Sequence, residues 1–355
     1  MATKTLKKRS LPSRRRVVDT EVKSHREKTE TTAPKVSSEH RASVPDKKHY
    51  KEYVGREISK GITEFDTFDF ALKTKQNVLI EGPTGPGKTS AVMAFAAKES
   101  KPFYAISSNV GIEPSQLFGK FVPTEDGKFQ WIDGPVTHLV RDGGVLLINE
   151  VNFIPERVAT VLFQLLDKRR EITLLDNQAE VVKAHDDLLI VADMNPDYEG
   201  TRPLNKAFRN RFAIQLWWGY DEKVESKLVH SKTLRDLATR VRDETAKGTY
   251  VTPTATNMLM DFEKIALGMG YEFAVQNFLA HYSSDERDAL AMIFKASEMG
   301  IKRDLSELAE KPRILKKRGI EVTDNFKSVT ETKSEVAADD DLAADEEDFD
   351  YLFNG

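Results

Sequence analysis

No cysteine occurs in the 355 residues. That excludes disulfides, thiolate metal sites, iron–sulfur clusters and cysteine nucleophiles, and fits a reducing, cytoplasmic setting. Long apolar runs are missing too. Nothing approaches the roughly 20 apolar residues that span a bilayer, so no membrane segment is expected. The N-terminus is basic but no apolar stretch follows it, so a secretory signal is not expected either. The seven His residues are scattered without metal-ligand spacing and read as surface or packing residues. The hydrophobic share, 39%, is low for one compact globule of this length and points to disordered segments.

The formal net charge of −4 hides an uneven distribution. Residues 1–50 carry 14 Lys/Arg against 6 Asp/Glu, and residues 321–355 carry 2 Lys against 12 Asp/Glu. The chain therefore reads as a nearly neutral body between a basic arm and an acidic tail. The expected organisation is a basic disordered arm over 1–49, an α/β domain over 50–220, a helical domain over 221–315 and an acidic disordered tail over 316–355. The arm holds Lys7-Lys8-Arg9 and Arg14-Arg15-Arg16, clusters able to neutralise phosphates, so nucleic acid is a candidate partner through residues 1–49. Aromatics for base stacking are not interleaved there. The tail ends in Phe349-Asp350-Tyr351-Leu352-Phe353, an apolar tip suited to docking a partner.

Within the body, apolar runs and helical periods alternate. Ile62 to Leu72 predicts a helix, and Asn77-Val78-Leu79-Ile80 a buried parallel strand. A helix is expected over Thr89 to Lys98, and strands at Phe103 to Ile106, Val145 to Ile148, Leu188 to Ala192 and Phe212 to Trp217. Pro155 to about Lys168 reads as a helix, and Ile172 to Leu175 pairs with Val181-Val182 as a hairpin. This alternation predicts a parallel sheet sandwiched by helices. Helical spacing alone follows, over Lys223 to Lys247, Thr254 to Ile265, Glu272 to His281 and Glu286 to Glu298. Trp217-Trp218 reads as domain packing.

The chemistry starts at Gly82-Pro83-Thr84-Gly85-Pro86-Gly87-Lys88-Thr89, followed by Ser90. This fits the phosphate-binding pattern G-x-x-x-x-G-K-[ST], with a strand before it and a helix after it. The glycines let successive N–H groups face phosphate oxygens, and the helix N-terminus adds its positive end. Lys88 places a charge on the β/γ-phosphates, and the Thr89 hydroxyl is a Mg²⁺ ligand. ATP and Mg²⁺ are therefore the expected cofactors. A metal-orienting group and a base are then needed on a neighbouring strand. Val145 to Ile148 ends in Asn149-Glu150. Glu150 is the candidate base. Asn149 stands near the metal where an Asp is usual, and brings no charge, so nucleotide binding is better supported than fast hydrolysis. On that ground Asn149→Asp is expected to raise turnover. Asn195, in Ala192-Asp193-Met194-Asn195-Pro196, is the candidate that orients the attacking water. Arg211, with Arg209 as the alternative, is the candidate finger reaching a neighbouring subunit's nucleotide.

From about Val78 to Leu216 these motifs together resemble an AAA+ ATPase of the MoxR-like branch of the dynein-related subfamily, the group of the CbbQ, NorQ and GvpN types and the CobS subunit of cobaltochelatase. The resemblance also rests on Phe129-Gln130-Trp131-Ile132-Asp133-Gly134-Pro135 before Gly143-Gly144, on Asn149 to Asn152, on Asn195 to Gly200 and on Phe208 to Phe212. It implies a P-loop NTPase fold with a small helical lid, a ring that is usually hexameric, and ATP at subunit interfaces. It also implies remodelling or maturation of a client protein, often with a partner carrying a von Willebrand factor A domain. The chain departs from the family at Asn149 and at Thr252-Pro253-Thr254-Ala255-Thr256, which lacks the Arg that usually senses the γ-phosphate. Both departures suggest slow or conditional turnover. The alternative reading is a nucleotide-binding, DNA-associated accessory switch of the phage replication or packaging type, motivated by the two charged ends.

Overall fold

The computed structural model of the protein describes residues 42–323 and 326, apart from 110, 197–203 and 205. Most of the basic arm and of the acidic tail lies outside the described residues.

At the centre is a five-stranded sheet of β3 (Val78–Glu81), β4 (Phe103–Ser107), β7 (Gly144–Asn149), β10 (Leu188–Met194) and β11 (Ile214–Trp217). The spatial order is β11-β3-β10-β7-β4, and every pairing is parallel. Period-2 alternation divides its side chains between two faces. Leu79, Leu146, Ile148, Ile190 and Ala192 face α5 (Pro135–Asp142) and α6 (Glu156–Leu166). Val78, Val145, Leu147, Leu189 and Val191 face α2 (Glu64–Thr74) and α3 (Lys88–Lys98). Both faces are covered, so the strands read as unbroken apolar runs.

Three antiparallel pairs decorate this core: β1 (Glu57–Ser59) with β2 (Ile62–Thr63), β5 (Gly119–Pro123) with β6 (Phe129–Asp133), and β8 (Glu171–Leu174) with β9 (Glu180–Lys183). The last is the hairpin that the sequence predicts. The β5–β6 hairpin was not legible, because its strands are largely exposed and lack an apolar stripe. Its Phe121 and Trp131 stack edge to face instead. The helix expected from Ile62 starts later. Ile62 lies in β2, and Thr63 caps α2 by accepting from Asp66 N–H while Asp66 accepts from Thr63 N–H.

The helical residues build their own apolar cluster around Phe262, Phe278 and Phe294, whose rings meet at 5.0 to 6.0 Å. The long helix expected over Lys223 to Lys247 is two helices, α8 (Glu222–Leu228) and α9 (Lys232–Ala246). The break has a cause: Ser231 is the N-cap of α9, bonded to Leu234 N–H and to Asp304. After α10 (Thr256–Met269) and α11 (Tyr271–Leu279) comes α12 (Ser284–Ala309). It outruns the expected end at Glu298 because Ile301, Leu305 and Leu308 carry its buried stripe onward. α13 (Pro312–Arg318) closes the unit.

Two expected boundaries shift. Residues 42–49 are not disordered: Ser43 bridges Phe103, and α1 (Lys48–Glu52) begins inside the segment read as arm. At the other end, α13 covers 316–318, Ile320 and Phe326 are buried, and Thr323 N–H bonds the Leu267 carbonyl. Apolar residues within otherwise charged flanks supply the anchoring surface. Among the described residues no helix is long and apolar enough to cross a membrane.

Candidate nucleotide site

The loop between β3 and α3 needs two backbone positions that only glycine fills. Gly82 packs against the Trp218 carbonyl, where a Cβ would sit 2.1 Å from the oxygen. Gly85 adopts φ +90, and a Cβ there would lie 2.4 Å from the Ala255 Cβ. The loop is braced from behind at Pro86. Its carbonyl accepts from Arg56 Nη2 at 2.8 Å and from Trp218 Nε1 at 3.2 Å, and the Arg56 guanidinium stacks on the Trp218 ring. Of the tryptophan pair, Trp218 is buried as this brace and Trp217 is exposed.

A cavity of about 460 Å³ opens over this loop. Thr84, Gly85, Gly87, Lys88, Thr89 and Ser90 line it, together with Asn149, Glu150 and Asn195 from the ends of β7 and β10. Gly82 and Pro83 lie beneath, and their carbonyls accept from the buried Lys88 ammonium at 2.7 Å each. Pro86 lines a second cavity of about 400 Å³ on the other side of the loop, with Tyr53, Val54, Met93, Leu228 and Met260 among its walls. A polar cavity and a more apolar one joined at a P-loop suit a triphosphate and a base respectively.

Thr89 Oγ1 donates to Asn149 Oδ1 at 3.3 Å. Asn195 Nδ2 donates to Thr84 Oγ1 at 3.1 Å, which ties the end of β10 to the P-loop. Glu150 stands at φ 51, ψ 52, left-handed backbone that a non-glycine residue holds at a cost of about 1–3 kcal/mol. Its N–H donates to Asp193 Oδ1 at 2.8 Å, which pins that conformation. Burial pulls the Lys88 ammonium below the ordinary lysine value, against the pull of Asp193 and Glu150. Burial likewise pushes the Asp193 carboxyl up, opposed by the Glu150 N–H and by Lys88.

The two arginines proposed as fingers are not in the cavity. Arg211 stacks over Phe163 at 4.8 Å and donates to the Ala207 carbonyl. Arg209 bridges Glu81 at 2.5 Å.

Several lining residues were missed from the sequence. Asp193 is one, although a lone carboxylate at the end of an apolar strand was visible. Ser107 and Ser108 at the end of β4 are others, and the Ser108 hydroxyl is buried with no partner among the described residues. Asn257, at the start of α10, lines both cavities just beyond Thr252 to Thr256, the segment that lacks the sensing arginine. The Tyr53–Arg56 wall carries no motif. The oxygens gathered here, Thr89 Oγ1, Asn149 Oδ1 and the orphaned Ser108 Oγ, are hard donors of the kind Mg²⁺ and its waters take.

Comparison with known proteins agrees with this geometry. Residues 77–212 match the AAA domain (dynein-related subfamily). An uncharacterised protein of Staphylococcus saprophyticus is 28% identical over 251 residues, covering 66% of this chain and 95% of that protein. One from Staphylococcus haemolyticus is 35% identical over 161 residues, 44% of this chain and 61% of its own length. The protein CbbQ of Hydrogenophilus thermoluteolus is 33% identical over 177 residues, 50% of this chain and 66% of CbbQ. With a P-loop, an Asn149-Glu150 strand end and Asn195 meeting on one parallel sheet, the chain belongs to the MoxR-like AAA+ ATPases of the dynein-related subfamily.

Proposed function

We propose that the chain is a ring-forming, Mg·ATP-dependent ATPase that remodels or matures a partner protein. The observation that carries this is the single cavity joining Lys88, Thr89, Glu150 and Asn195. The phosphates would lie on the loop N–H groups, with the positive end of α3 behind them. Lys88, already in place and partly desolvated, would meet the β/γ-phosphates. Bound Mg²⁺ would neutralise phosphate charge; Thr89 and Asn149 would hold it. Glu150 would take the proton of the attacking water, and Asn195 would fix that water's position. The base would enter the second cavity.

Arg211, or Arg209, would act on the nucleotide of the next subunit, which fits their places outside the cavity. A hexamer, and a partner with a von Willebrand factor A domain, follow from the family. Asn257, which lines the cavity at the start of α10 where no sensing arginine stands, supports modest turnover.

Titration of ATP onto the full chain tests the site. Lys88→Ala should abolish binding, whereas Glu150→Gln should bind ATP and stop turnover. Unchanged ATP affinity in Lys88→Ala would sink the assignment.

A further inference from the structure

We propose that Asp193 supplies the metal-directed charge that residue 149 lacks: the acidic position has moved one strand across the sheet. This rests on the nucleotide-site reading above.

The sheet register places the two residues side by side. Ile148 pairs with Ala192, so Asn149 and Asp193 follow at the same level on adjacent strands. Alternation then fixes the face. Ile148 and Ala192 belong to the cluster on the α6 side, while Leu147 and Val191 belong to the cluster on the α3 side. Asn149 and Asp193 share the parity of Leu147 and Val191, and so lie on the face where α3 begins. Neighbouring strands are about 4.8 Å apart, so a carboxylate transferred from one position to the other moves by less than two water diameters.

The surroundings fit the role. Asp193 lines the same cavity as Lys88, Thr89 and Asn149. It is 5% exposed. Of the other buried carboxylates, Glu225, Glu263 and Asp304 are matched by Arg242, Arg318 and Arg303, while Glu64 and Glu286 each accept two or more hydrogen bonds. Among the described residues no cationic side chain forms an ion pair with Asp193. Its observed bond comes from the Glu150 N–H. A buried carboxylate without a paired cation is costly unless one arrives. Here the arriving cation is the one that accompanies the nucleotide. The same bond makes Asp193 a positioning residue for Glu150, linking the metal-directed charge to the base.

This assignment changes the expectation for Asn149→Asp. Alone, it sets two carboxylates side by side, and like charges oppose one another. The gain should appear only when Asp193 is neutral.

The test is the affinity of the full chain for a non-hydrolysable ATP analogue, with Mg²⁺ and with EDTA. Asp193→Asn keeps an acceptor for the Glu150 N–H, so the fold and the EDTA affinity should hold. The Mg²⁺-linked gain should fall roughly tenfold or more. Asn149→Asp combined with Asp193→Asn should restore it, and electron paramagnetic resonance of Mn²⁺ in the complex should report the same loss and recovery. A Mg²⁺ linkage unchanged in Asp193→Asn, or a double variant as weak as that single one, overturns the assignment. So does a several-fold rise in turnover from Asn149→Asp alone. Lys88-dependent binding alongside an Asp193-insensitive linkage overturns this assignment only; absence of nucleotide binding in the wild type overturns both.

Discussion

At the scale of single residues, the site depends on what has no room to change. Gly85 is the clearest case. Its φ of +90 lies where side chains are strained, and Ala255 from the lid occupies the space a methyl would need. Gly85→Ala must therefore push loop and lid apart. A strain of about 1–3 kcal/mol corresponds to a drop of about five- to 150-fold in ATP affinity. Calorimetric titration checks this, and an unchanged affinity would mean the loop can relax. Glu150 shows the opposite economy. Its left-handed backbone is tolerated because Asp193 holds the N–H. The glycines and Lys88 were legible as a pattern of residue types. Asp193 was not, because its importance comes from a neighbouring strand.

At the scale of elements, magnitude separates contacts that matter from those that decorate. Lys73–Asp69 and Lys232–Asp236 are exposed pairs along single helices, where water screens the attraction and little stability follows. Arg242–Glu225 is different. It is bidentate, nearly buried, and joins α9 to α8. Glu225 also accepts from Thr256 at the start of α10, and Arg242 stacks on Tyr220, whose hydroxyl bonds the Thr84 carbonyl. Arg242→Ala leaves a buried carboxylate uncompensated and should cost about 3–5 kcal/mol in urea unfolding, with weaker ATP binding as a second effect. A cost under about 1 kcal/mol, the surface-pair range, would show that water compensates Glu225. Sequence periodicity located most strands and helices. It missed the break at Ser231, a local N-cap on Leu234 N–H whose hydroxyl is also held by Asp304, far along the chain. It missed β5–β6 because an exposed hairpin has no apolar stripe.

At the scale of the whole molecule, the proposed ring requires that no subunit be complete. Glu150 and Lys88 lie in the cavity, and Arg211 lies outside it on the Phe163 ring. In the ring, Arg211→Ala and Glu150→Gln should each be inactive alone. Mixed, they should regain part of the turnover, because some interfaces then join an intact Glu150 to an intact Arg211. ATPase assays on mixtures, with mixed assembly verified by native mass spectrometry, check this. Verified mixed rings that stay inactive would remove Arg211 from the trans role and leave Arg209 to be tested in the same way.

Local pattern alone determined the P-loop, the alternation of strands and helices that makes a parallel sheet, and the family. Each of these is written in residue type and short spacing, because helix and strand periods and the curl of a phosphate loop are properties of contiguous chain. Only the tertiary structure decided which carboxylate stands beside Asn149 and what braces the loop. It also decided where the charged ends begin. Those depend on register between strands distant in sequence, on Trp218 and Arg56 meeting at Pro86, and on apolar anchors such as Ile320 and Phe326 finding a surface to cover.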